Sequence, residues 1–114
     1  MGGDIILPWP PKELSPNSTA KLRLKMRAKK AYRETCWALS LGKRSALPSE
    51  GDIRLRIVFN PPDHRHRDDD NMLASFKHGR DGVAQALQIN DRRFPTSFEV
   101  GDVVPGGQVV VSLG

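Results

Sequence analysis

The sequence predicts an α+β fold: a single small domain over residues 1–114, with elements in the order β-α-β-α-β-β and a mixed sheet packed with two helices. Three observations lead there. Ile53, Leu55, Ile57 and Phe59 alternate with Arg54, Arg56 and Val58 before Pro61-Pro62 stops the run, which is the two-residue period of a half-buried strand. Two longer stretches place apolar residues at helical spacing, and the second opens on three consecutive aspartates. The C-terminal part then returns to short apolar runs around Pro105-Gly106-Gly107. A chain of 114 residues, at roughly 100 to 150 per domain, excludes a two-domain enzyme.

Taken in order, Ile5, Leu7 and Trp9 alternate with Ile6 and Pro8, a short strand that Pro10-Pro11 must end, which puts it near a sheet edge. Ser15-Pro16 reads as an N-cap followed by a first-turn proline, opening a basic helix that runs to Leu41 with Gly42 as its stop. Leu22, Leu24 and Met26 alternate with charges and fit a strand as well, whereas Ala28, Ala31, Tyr32, Thr35, Cys36 and Leu39 follow helical spacing from about Arg27 onward. The second helix starts near Asp68 and ends near Gln88, turning Leu73, Phe76, Val83, Ala84 and Leu87 inward. Phe94, Phe98, Val100 and Val104, then Val109, Val111 and Leu113, read as a terminal hairpin.

Charge points to the partner. Lys and Arg total 18 against 13 acidic residues, for a net charge of +5, a balance that favours a polyanion. Half of the positive charge lies between Lys21 and Arg44, where Glu34 is the single acid; Lys25, Arg27, Lys29, Lys30 and Arg33 form its centre. The single cysteine, Cys36, cannot form an internal disulfide, and no apolar run approaches the roughly 18 to 20 residues of a membrane span. The N-terminus lacks the basic start and apolar core of a secretion signal, so the expectation is a soluble cytoplasmic protein without a membrane partner. A domain this small leaves much of its surface unburied, which favours a homodimer.

The densest anomaly is Arg67-Asp68-Asp69-Asp70-Asn71, three adjacent carboxylates in a basic protein. One account is that they cap the helix and favour its dipole, each by about 0.3–1 kcal/mol; one or two would suffice for that. The other is that they bind a hard divalent cation, Mg²⁺ or Mn²⁺, which takes oxygen ligands and bridges to phosphate. Asp68 and Asp70 can converge only if Asp68 lies in the extended lead-in and Asp70 in the first turn, and a cation there needs a further carboxylate against the dipole. Asp91, after the helix in Asn90-Asp91-Arg92-Arg93, is the candidate, with a plain turn residue as its alternative. Lys77, two turns beyond Asp70, could neutralise a scissile phosphate, or pair with Asp81 on its own helix. His64, His66, His78 and Cys36 match no tetrahedral zinc spacing; Arg65 and Arg67, with the two nearby histidines, suit phosphates beside the acidic run.

These residues resemble a known family. Asn60-Pro61-Pro62-Asp63-His64-Arg65-His66-Arg67-Asp68-Asp69-Asp70-Asn71 is similar to the proline-ended strand, basic stretch and Asp-x-Asp-Asn helix start of the RusA Holliday junction endonucleases, which include phage and prophage members. Leu7-Pro8-Trp9-Pro10-Pro11, Ser15-Pro16-Asn17, Asp81-Gly82-Val83 and Asn90-Asp91-Arg92-Arg93-Phe94 fit the same pattern in the same order, over nearly the whole chain. The resemblance implies a homodimeric, Mg²⁺-dependent enzyme of DNA recombination and repair that nicks four-way junctions in pairs, in a bacterial cell and phage- or host-encoded. Asp68, Asp70 and Asp91 would be its metal-binding acids and Lys77 its catalytic lysine, with no small-molecule cofactor. Two positions depart from the pattern: the best-known form has its lysine four residues after the second Asp, where Ala74 stands, and its Asp-Asp pair after the helix is Asn90-Asp91 here. The alternative from another class is a non-catalytic, basic DNA-binding phage accessory protein whose aspartates cap a helix; a third is a basic ribosome-associated domain.

Overall fold

The first strand shows how the sheet is sided. In β1, Asp4–Pro8, Ile5 and Leu7 are buried while Asp4, Ile6 and Pro8 face solvent. The computed structural model describes residues 4–46, 52–90 and 94–113. After β1 come a single 3₁₀ turn at Lys12–Leu14, helix α1 at Leu22–Ser40, a further 3₁₀ stretch at Leu41–Ala46, strand β2 at Leu55–Asn60, helix α2 at Asp69–Leu87, and strands β3 at Thr96–Val100 and β4 at Gln108–Leu113. The result is a small α+β fold with a mixed four-stranded sheet in the order β1-β4-β2-β3. β4 is antiparallel to both neighbours and β2 parallel to β3, with α2 as the crossover between them. β1 lies at an edge, as its prolines require. Among the described residues no helix is long and apolar enough to cross a membrane.

The terminal hairpin does not form. β3 runs alongside β2, and the chain then crosses the end of β2 to lay β4 on its other side, with Ile57 facing Phe98 and Val111. Asn60, the last residue of β2, holds that crossing: its Nδ2 donates to the Asp102 carbonyl at 2.9 Å and its Oδ1 accepts from Gln108 Nε2 at 3.2 Å. The Val104 N–H donates to the Pro61 carbonyl at 2.9 Å, and the turn closes through Gly106 and Gly107, both at positive φ where a side chain would be strained. The turn lies where Pro105-Gly106-Gly107 predicts it, but the strands it joins are separated by β2.

α1 also differs from expectation. It begins at Leu22 rather than at Ser15, since Ser15 Oγ accepts the Asn17 N–H and Ser18 Oγ the Ala20 N–H, two local turns that compete with helix. Its buried seam is narrow, only Tyr32, Cys36 and Ser40, so Ala31, Thr35 and Leu39 are exposed. Gly42 falls inside the 3₁₀ stretch and is not the left-handed stop. In α2 that role falls to Gln88, at φ 54°, whose N–H reaches the carbonyls of Ala84 and Gln85.

Both helices share one core with the inner sheet face, organised around Phe59. Its ring meets Phe76 at 5.9 Å, Phe98 at 6.0 Å and Trp9 at 6.2 Å, all edge to face, and Tyr32 meets Phe76 at 6.3 Å. Tyr32 Oη donates to the Pro8 carbonyl at 2.7 Å and so ties α1 to β1. Cys36 is fully buried, and burial pushes its thiol up to about 12 against a smaller lowering by the Tyr32 hydroxyl. At pH 8 almost no thiolate exists there. A disulfide reagent should therefore leave Cys36 unmodified in the folded protein and label it fully in denaturant, at a rate that tracks unfolding; rapid native labelling would contradict this packing.

Candidate functional site

The acidic run sits where the link from β2 turns into α2, and the link is braced by its own side chains. Asp63 Oδ1 accepts the Arg65 N–H at 3.0 Å and Arg67 Nη1 at 2.9 Å. The same Nη1 donates to the carbonyls of Arg65 at 3.0 Å and Asp63 at 3.3 Å, and the guanidinium lies 5.7 Å from the Trp9 ring centre. Hydrogen bonding from Arg67, then from the Arg65 N–H, holds the Asp63 carboxyl below the usual carboxylate range. With a side chain only 17% exposed, Arg67 braces the link while bordering a cavity beside Asp68.

Asp68 occupies the N-cap in extended conformation, at φ −74° and ψ 135°, and Asp69 and Asp70 lie in the first turn. This is the geometry that the sequence argument required of Asp68 and Asp70. Capping, however, does not explain them: the Asp68 side chain makes no cap hydrogen bond, and its recorded partner is His66 Nε2 at 3.4 Å. The carboxylates of Asp69 and Asp70 are exposed and bond to no described residue. A helix N-terminus tolerates such acids but does not need three of them.

Two cavities flank this junction. One, of about 560 Å³, lies between α2 and the start of β3 and is bordered by Asp70, Ala74, Lys77, Arg80, Phe94 and Thr96 among others. The other, of about 550 Å³, lies between the end of β1 and the 61–68 link and is bordered by Trp9, Arg65, Asp68 and Asn71 among others. Asp70 and Lys77 thus come together, while Asp68 opens on the neighbouring cavity. Lys77 is exposed and forms no ion pair with Asp81 or any other described residue. Asp91, with Arg92 and Arg93, lies outside the described residues; among those described, no group of three or more His, Cys, Asp or Glu is placed to hold a metal.

Arg80 is the residue that sequence reasoning missed. From α2 its Nε donates to Thr96 Oγ1 at 3.0 Å and its Nη2 to the Phe94 carbonyl at 3.0 Å, with the guanidinium 5.2 Å from the Phe94 ring centre. It fastens the start of β3 against the face that carries Asp70 and Lys77. Its signal was available, because Asp70, Lys77 and Arg80 are spaced seven and three apart on one helical face. Of the predicted phosphate contacts, Arg27, Lys29, Lys30 and Arg33 are exposed along α1, Arg65 is exposed in the link, and Lys25 is half-buried. Burial, and next the Lys29 ammonium, hold His78 on α2 below the usual histidine range.

By sequence the chain belongs to the family of a Xylella fastidiosa (strain Temecula1) protein described as uncharacterized, with which it is 43% identical over 115 residues, covering 96% of this chain and 74% of the relative. No family model matches the chain.

Proposed function

We propose that the protein is a RusA-like, Mg²⁺-dependent, structure-selective DNA endonuclease that resolves four-way junctions as a homodimer. The observation that carries this reading is the meeting, on one face of α2 and around one cavity, of the exposed carboxylate of Asp70 and the exposed ammonium of Lys77, neither of which pairs with another of the described residues. Phe94 and Thr96, which closely follow Asp91 in sequence, border the same cavity. Hard, exposed oxygen donors suit Mg²⁺ or Mn²⁺, and Mg²⁺ is commonly held by one or two carboxylates with water and substrate phosphate completing the shell. Asp68 and Asp70 would hold the ion, joined by Asp91 as the resemblance implies. Such an ion supplies Lewis-acid stabilisation of the phosphate and lowers the pKa of a bound water.

The chain's own groups do the rest. Lys77 offsets charge on the scissile phosphate. Arg80 positions the start of β3 beside it. The basic side chains of α1 supply sequence-independent phosphate affinity, for which about five contacts give a log–log salt slope on the order of −4. Two-fold symmetry would present equivalent sites to equivalent strands of a junction.

The test is a synthetic four-way junction beside a linear duplex of the same sequence, in Mg²⁺, Mn²⁺ and chelator. Paired nicks in the junction alone, absent in chelator, are expected. The second reading, a non-catalytic DNA-binding protein, draws on the exposed basic side of α1. Junction binding without nicking in either metal would establish it instead.

A further inference from the structure

The cavity that Asp68 borders also carries groups that the cleavage chemistry does not use. Trp9, Pro10, Pro11 and Pro62, with Met72 from α2, give it apolar walls, and the acids Asp63 and Asp68 also border it. The Trp9 ring is fixed in place, edge to face with Phe59 at 6.2 Å and overlain by Arg67 at 5.7 Å. Trp9, Asn17 and Asn71 border this slot, and the Trp9 indole N–H and the two side-chain amides hydrogen-bond to nothing among the described residues. At its margin stand exposed cations, Lys12 and Arg65. At about 550 Å³ it falls within the roughly 300–1,000 Å³ of small-ligand sites.

Apolar walls, side-chain amides and nearby cations are the three things one nucleotide needs. Aromatic and proline surfaces take a base by stacking without regard to sequence. A side-chain amide can donate and accept together, so it can tell one base edge from another. Ammonium and guanidinium groups take the phosphate. We propose that this cavity binds a single unpaired deoxynucleotide of the DNA substrate next to the scissile phosphate, with Asn17 and Asn71 reading its base. The inference rests on the nuclease reading for the identity of its ligand, and it adds to that reading a source of cleavage-site preference: the strand is cut where the favoured base can leave the stack and enter the slot. Asn17 lies on the turn before α1 and Asn71 in the first turn of α2, so an occupied slot also links the basic helix to the acidic junction.

The indole N–H signals of Trp9 and Trp37 in a proton–nitrogen correlation spectrum provide a direct readout, assigned with Trp37→Phe. Deoxynucleoside 5′-monophosphates, added in chelator, should move the Trp9 signal saturably and leave Trp37, on the exposed side of α1, in place. Their dissociation constants should differ among the four bases by about fivefold or more, the discrimination of one good base contact. Asn17→Ala should bring the constants together, and in the junction assay should spread nicking over more sites. A Trp9 signal that stays still with every nucleotide, or moves equally with inorganic phosphate, overturns the proposal. Nucleotide binding without junction nicking would retain the pocket and remove the nuclease; nicking without a Trp9 response would do the reverse.

Discussion

Asp70→Asn should lose junction cleavage by about 10²-fold or more while binding the junction as well as the parent does, since removing a charged ligand costs a site several kcal/mol of phosphate charge stabilisation. The substitution preserves shape and removes only charge. Because the Asp70 carboxylate is exposed and bonds to no described residue, its loss removes a dipole contribution of about 0.3–1 kcal/mol, and the melting temperature should fall by a few degrees at most. A loss of cleavage with intact folding and binding would therefore assign the carboxylate to chemistry. Cleavage at the parental rate would remove Asp70 from the site. Lys77→Ala separates the two functions of a cation at the same cavity: cleavage should fall far more than binding, and an equal fall in both would make Lys77 an ordinary phosphate contact.

The elements nearest the site were the most legible, for a physical reason. β2 is buried on one face only, so its alternation is strict, and α2 packs a broad apolar face whose period is unambiguous. The backbone placement required of Asp68 and Asp70 follows from helix geometry alone and is present, although the two residues border different cavities. Illegibility began where long-range pairing decides. Val109 and Val111 are buried between β1 and β2, and nothing local says that β3 must pass to the far side of β2 first; the Asn60 bonds that hold this crossing join residues more than 40 positions apart. Likewise the basic start of α1 reads equally as strand or helix, because little of it is buried and periodicity carries no signal on an exposed face. The bracing by Arg67 is invisible in sequence as well, since only the fold brings Trp9 and the Asp63 turn around it.

Gly82→Val should be the most damaging single change to the fold, and Gly82→Ala should show why. A Cβ on Gly82 would lie 2.3 Å from the Arg33 carbonyl oxygen and 3.1 Å from the Trp37 nitrogen, both backbone atoms of α1 that cannot rotate aside. On helix propensity alone, alanine would stabilise α2 by about 1 kcal/mol. Overpacking a close helix contact costs about 1–3 kcal/mol and sometimes more, so alanine should be net destabilising and valine, larger and β-branched, more so. Thermal unfolding should show losses of about 4–8 °C per kcal/mol for a domain of this size. Gly42→Ala is the control, because nothing lies within 4 Å of its added carbon; it should stay within about 0.5 kcal/mol of the parent. α1 holds to the core by a narrow seam, so pushing the helices apart at Gly82 displaces the basic helix from the helix that carries Asp70 and Lys77. Gly82→Ala protein held well below its melting temperature should then bind junctions more weakly than the parent, and parental stability in this variant would show that α1 is free to move away from α2.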